Sequence, residues 1–148
     1  MNPSGPCFVS SRKGYFAFEG QIKSESFCKL LAYVNNFYES RTVYDAQGLK
    51  WRAIQAESHK FNRGFWTKFL ANTVYNPRIT VSITWGEPKS YNFQELQDIY
   101  SKAVDKDDDI LTQFVEANEL KQRIASAKSF QELVEIYNWM KTDHTDEG

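Results

Sequence analysis

The chain has 148 residues, 41% hydrophobic and 25% charged, with a formal net charge of -1, the size of one domain that buries roughly 68–70% of its unfolded surface without a staple. Its 16% aromatic share points to a bulky core, a sticky surface or both. Two cysteines, Cys7 and Cys28, are too few for a secreted disulfide framework and lack zinc-ligand spacing, and no apolar run reaches signal-peptide or membrane-span length, so a cytoplasmic protein without cofactor or metal is expected.

Residues 1–13 read as a flexible Pro/Ser/Gly-rich leader. Alternation over Tyr15 to Glu19 suits a strand. Ser24 then opens a helical pattern, in which Phe27, Leu30, Leu31, Val34, Phe37 and Tyr38 share one face of a helix running to about Glu39. The period shortens to two over RTVYD and LKWRAIQA, separated by the turn Ala46-Gln47-Gly48, which predicts a hairpin with Leu49, Trp51 and Ala53 on one face.

A second hairpin is expected around Asn76-Pro77. Its first strand, WTKFLANTVY, alternates Phe69, Ala71 and Tyr75, and its second, RITVSITW, alternates Ile79, Val81, Ile83 and Trp85. A short helix through Phe65 to Ala71 is the alternative for the first. Gly86-Glu87-Pro88 ends the sheet region.

Helices follow. Asn92 with Glu95 and Ser129 with Glu132 have the spacing of caps, ahead of stripes at Phe93, Leu96, Ile99, Tyr100, Ala103 and Val104 and at Phe130, Leu133, Val134, Tyr137 and Met140. ELKQRIASAK lies between them as a further helical segment. The order predicts one α+β domain over 14–142, with an antiparallel sheet of about five strands, one N-terminal crossing helix and three to four C-terminal helices. Residues 143–148 read as a disordered tail.

Charge divides the chain. Residues 1–92 hold 12 Lys and Arg against 6 Asp and Glu, a net of +6, and residues 93–148 hold 6 against 13, a net of -7. Opposite halves can attract within one fold or present faces to different partners. The acidic stretch DKDDDILTQFVE places Asp105, Asp107, Asp109 and Glu116 at EF-hand offsets, but the position that demands glycine for its sharp turn is Ile110. Asp107 to Asp109 are therefore expected to cap a helix starting near Ile110.

Three functional readings arise from the residues. His59, with Glu57, Lys60 and Arg63 nearby, offers an acid/base set for a small enzyme. No glycine-rich phosphate loop, nucleophile elbow or zinc-binding cysteine pair accompanies it, so a non-enzyme is expected. In HKFNRGFWTKF basic and aromatic residues interleave, and Trp51, Lys60, Phe61, Arg63 and Trp66 are the candidates for holding single-stranded nucleic acid. The acidic helical half carries Asp105, Asp107, Asp108, Asp109 and Glu116, with Trp139 as an aromatic anchor, and could dock on a basic protein.

In size, lack of a catalytic motif and acidic helical face, the chain resembles the small immunity or inhibitor proteins of bacterial toxin systems. That resemblance implies a binding protein that occludes the basic active site of a cognate, nuclease-type toxin. The expected partner is thus a protein, with nucleic acid the alternative and no membrane partner.

Overall fold

A computed structural model describes residues 3–11, 16–21, 25–35, 41–58, 60–106 and 111–142. In chain order these form β1 (Cys7–Ser11), β2 (Phe16–Glu19), β3 (Glu25–Lys29), α1 (Leu30–Val34), β4 (Arg41–Asp45), β5 (Leu49–Glu57), α2 (Phe65–Thr73), β6 (Arg78–Trp85), β7 (Lys89–Ser90), α3 (Phe93–Lys106), α4 (Ala117–Ser126) and α5 (Phe130–Met140). The mixed α+β class is as expected. The sheet is larger than expected: its order is β2-β1-β4-β5-β6-β3, with β7 also on β5, and every pairing is antiparallel.

β5 is the hinge of this curled sheet. Its first half pairs with β4 and β7 and its second with β6, and the register slips between Ala53 and Gln55. Such a bulge bends the strand and re-aims side chains, and here Ile54 is turned out to solvent. On one side of the bend, Phe8, Phe16 and Tyr44 of the sheet pack against α3, α4 and α5, with Leu96, Tyr100, Leu120, Ile124 and Leu133 at the centre. The opposite face of the same strands, with Cys7, Val9, Val43, Trp51 and Ala53, meets Trp85 in a second cluster. Past the bend a third cluster, with Leu30, Tyr33, Val34, Ala56, Ala71, Ile79 and Val81, seats α1 and α2.

Three expectations give way. The helix predicted from Ser24 to about Glu39 begins only at Leu30; Glu25–Lys29 form an edge strand, Cys28 opposite Ile79, because β6 offers an unpaired ladder that a local helix cannot match. Residues 66–73, expected first as a strand, are helical in α2. The helix expected near Ile110 is absent from the described residues 111–116, of which 111–115 are turn and bend; the next helix is the expected ELKQRIASAK segment, α4, where the Glu116 side chain accepts from the Asn118 and Glu119 amides at 3.2 and 3.3 Å. Asp107, Asp108, Asp109 and Ile110 lie outside the described residues, as do 12–15, 22–24, 36–40 and 143–148. Cys7–Ser11, read from composition as leader, form β1 between β2 and β4.

Burying protonated acids makes the fold sensitive to alkali. Burial, then the carboxylates of Glu19 and Asp45, push the Cys7 thiol up to about 12 from an ordinary 9.0. Burial, then Glu95, push the Tyr44 hydroxyl up to about 12 from 10.0. Tyr91 and Tyr100 are also raised, chiefly by burial. Between the ordinary and the folded values the unfolded chain releases protons that the fold retains, so this stability is complete below about pH 9 and is lost as pH climbs toward 12. The urea midpoint is expected to fall between about pH 8 and about pH 11, and to fall less in Cys7→Ala at matched starting stability; an unchanged midpoint would show these groups to be ionising freely in the folded protein.

Candidate recognition surface

The loop that leads into α2 is fixed by side chains whose sequence pattern suggested ligand binding. Arg63 donates from Nε to the Tyr33 carbonyl at 3.0 Å and from a terminal guanidinium nitrogen to the Ala56 carbonyl, and its guanidinium carbon lies 4.1 Å from the centre of the Tyr33 ring. The Tyr33 hydroxyl in turn donates to the Phe61 carbonyl at 3.0 Å. Ser58 Oγ accepts from the Lys60 and Phe61 amides, both at 3.2 Å. These bonds tie the loop to α1 and β5, and Phe61 packs onto the cluster beneath.

Asn62 and Asn76 hold the two ends. Asn62 Oδ1 accepts from the Gly64 amide and the Thr67 hydroxyl, both at 2.9 Å, which fixes the first turn of α2. After α2, Asn76 Oδ1 accepts from the Leu31 amide and the Pro77 carbonyl from the Leu30 amide, each at 2.8 Å. An isolated helix of this length is marginal in water. It persists because both ends are pinned.

What the frame presents is apolar. Ala71 is the buried residue of α2. Around it Phe65 is 74% exposed, Trp66 72%, Phe69 50%, Leu70 40%, Val74 84% and Tyr75 49%. The rings of Phe65, Trp66 and Phe69 stack edge to face along the ridge, with centroids 5.4 and 6.3 Å apart. Scattered exposed hydrophobics need no explanation, but a contiguous run on one rigid element marks an interaction site.

The ridge is flanked by positive charge. Residues 58–86 contain Lys60, Arg63, Lys68 and Arg78 and no Asp or Glu. Behind α2, a cleft of about 420 Å3 is lined by Lys60 and Arg78, by the hydroxyl-bearing Ser58, Tyr75 and Thr80, and by Phe61. A wider groove, on the sheet face that also carries Tyr44, has Lys50, Arg52 and Lys89. There Lys50 is already paired with Glu95 at 2.8 Å and Glu87 also lines the groove.

Of the residues expected to hold nucleic acid, Lys60 and Trp66 are exposed on this surface. Trp51 is 4% exposed and donates its indole N–H to Asp45, so neither of its faces is free. Phe61 is half-buried and Arg63 is engaged in the frame. Of the acidic set, Asp105 pairs with Lys121 at 2.8 Å and Glu116 caps α4. Trp139 packs on the helical core, with the Arg123 guanidinium 3.9 Å above its ring. Asp107, Asp108, Asp109 and His59 lie outside the described residues. No group of three or more His, Cys, Asp or Glu with metal-holding geometry occurs among the described residues. Phe65 and Phe69 belong to the basic aromatic stretch HKFNRGFWTKF that the sequence marked as a surface candidate, though not to the binding set drawn from it, and Leu70, Val74 and Tyr75 were not singled out.

Comparison with protein-family models, curated proteins and solved structures gives no match to this chain.

Proposed function

We propose that this protein is a non-enzymatic docking domain whose working surface is the α2 ridge. The observation that carries the reading is the exposure of Phe65, Trp66, Phe69 and Leu70 on a helix that side chains hold in place from both ends, with Val74 and Tyr75 exposed directly after it. A fold gains nothing internally from apolar groups turned outward, whereas a partner that covers them gains the full hydrophobic contribution. The reading retains the binding role expected from the sequence and moves it to the basic half of the chain. Occlusion of a toxin by the acidic half has less support, because Asp105, Glu116 and Trp139 each have an intramolecular role.

The test is the triple variant Phe65→Ser/Trp66→Ser/Phe69→Ser, with Trp66→Ser alone as the milder form. Exposed substitutions away from caps and core shift stability within about 0.5 kcal/mol each, so the circular dichroism and the urea midpoint are expected to stay close to the parent. Material recovered on the immobilised protein from host lysate, whether protein, nucleic acid or lipid, is expected to be lost. Recovery unchanged in both variants, or unfolding of the single variant, overturns the proposal. Charge reversal of Asp105 and Glu116 serves as the counter-test for the acidic face.

A further inference from the structure

The ridge lacks a stated occupant, and its chemistry narrows the choice. Resting on the docking role just proposed, we infer that α2 is an interfacial anchor that seats this protein on an anionic lipid surface. Phe65, Trp66, Phe69 and Leu70 enter the headgroup and acyl boundary, while Lys60, Lys68 and Arg78 meet the lipid phosphates.

Charge is the first argument. Lys60, Lys68 and Arg78 lie in a segment, residues 58–86, that has no Asp or Glu, whereas Arg63 is engaged in the frame and lies 3.6 Å from the Glu57 carboxylate. With three lysine and arginine side chains about it, the surface complements a negative partner and repels a second copy of itself. Cations beside an inserted apolar face are what an amphipathic helix uses on anionic bilayers, and Trp and Tyr favour the interfacial depth. The cleft with Lys60, Arg78, Tyr75 and Thr80 has the cations and hydroxyls that suit a phosphodiester headgroup.

Polar bookkeeping on the helix is the second. Any peptide or side-chain polar group taken into an apolar medium needs an internal partner. On the ridge, the Thr73 hydroxyl donates to the Phe69 carbonyl at 2.8 Å and the Asn72 amide donates to the Lys68 carbonyl at 2.7 Å. The Val74 and Tyr75 amides both donate to the Leu70 carbonyl, at 3.1 and 2.8 Å. The donors at the end of α2 are therefore met within the helix.

Shape is the third. Phe65, Trp66 and Val74 stand clear of the protein at 74%, 72% and 84% exposed, and a fluid bilayer accommodates such side chains without a preformed groove. Helices α3 to α5 are built on a core cluster that shares no residue with the one beneath α2.

The experiment is co-sedimentation of the full chain with vesicles of equal parts phosphatidylcholine and phosphatidylserine, and with phosphatidylcholine alone. Binding to the mixed vesicles, weakened roughly tenfold or more by Trp66→Ser/Phe69→Ser and by raised salt, is the expected result. Lys60→Glu/Lys68→Glu is expected to abolish the preference for the mixed vesicles. Quenching of tryptophan emission by brominated acyl chains, lost in Trp66→Phe, places the ring in the boundary. Failure to bind the mixed vesicles, or binding indifferent to the Trp66/Phe69 change, overturns the inference. If vesicles are refused while ridge-dependent capture of a protein or a nucleic acid persists, the lipid occupant is wrong and the docking role stands; if nothing depends on the ridge, both fall.

Discussion

Phe8→Ala is expected to lower the unfolding free energy by about 3–5 kcal/mol, the upper range for truncating a buried ring. The Phe8 side chain is fully buried. Its ring centroid lies 5.3 Å from both Phe16 and Phe18 on β2, 5.2 Å from Phe130 and 6.1 Å from Tyr137 on α5, and 6.1 Å from Tyr100 on α3. One side chain thus joins the edge strand to two of the three C-terminal helices. Removing it forfeits its transfer energy, its favourable ring contacts and the packing of a cavity whose other walls are themselves rigid aromatics that relax poorly. Against a typical total of about 5–15 kcal/mol this is a large share. Urea unfolding followed by circular dichroism should show a lower midpoint with an unchanged slope, and Phe8→Leu should cost markedly less. A loss under about 1 kcal/mol would mean that the helical layer does not rest on β1.

How much of this fold the sequence reveals depends on whether a segment's partner lies nearby in the chain. The hairpin of β4 and β5, the strand β6 and the stripes of α3 and α5 were legible because alternation and capping are local. Both caps form as spaced: the Glu95 amide donates to Asn92 Oδ1 at 2.8 Å and the Glu132 amide to Ser129 Oγ at 3.2 Å. The reciprocal half of each box goes elsewhere, Glu95 to Lys50 and Glu132 to the Lys128 amide. β3 was not legible, since Phe27, Leu30, Leu31 and Val34 fit a helix until the distant β6 claims the first part of the segment.

The ridge was legible in part, as the basic aromatic stretch HKFNRGFWTKF, but its exposure was not. Phe65, Trp66, Phe69 and Leu70 form an apolar arc whose spacing is the same whether it faces a core or leaves it. Periodicity finds the arc and says nothing about the medium it meets. Only the burial of Ala71 fixes which side of α2 rests on the protein. Trp51 shows the same ambiguity: an alternating strand residue beside Lys50 and Arg52 reads equally well as a stacking platform or as core, and in the sheet it is core.

Asp45→Ala is expected to cost about 3 kcal/mol, because hydrogen bonds to a charged acceptor contribute about 1.5–3 kcal/mol each and buried donors left without one are penalised. The Asp45 residue is 3% exposed. Its Oδ1 accepts from the Gln47 and Leu49 amides and its Oδ2 from the Trp51 indole, all at 2.9 Å. Those bonds close the turn between β4 and β5, where Gly48 adopts a φ of 88° that other residues rarely take. Water can reach the Gln47 amide after truncation, but it cannot easily reach the buried indole, so most of the loss should fall on Trp51. A double-mutant cycle with Trp51→Phe separates the two: the pair is expected to be less destabilised than the sum of the singles by about 1 kcal/mol, since removing the donor relieves the penalty. Strict additivity would mean that the indole finds another acceptor. Asp45→Asn should fall between, its amide oxygen still serving the turn while its NH2 group confronts the indole N–H. Because β5 also supplies the Ala56 carbonyl that holds Arg63, a hairpin loosened at Asp45 should loosen the frame of α2 as well, and hydrogen exchange in residues 60–64 should rise in the variant before global unfolding does.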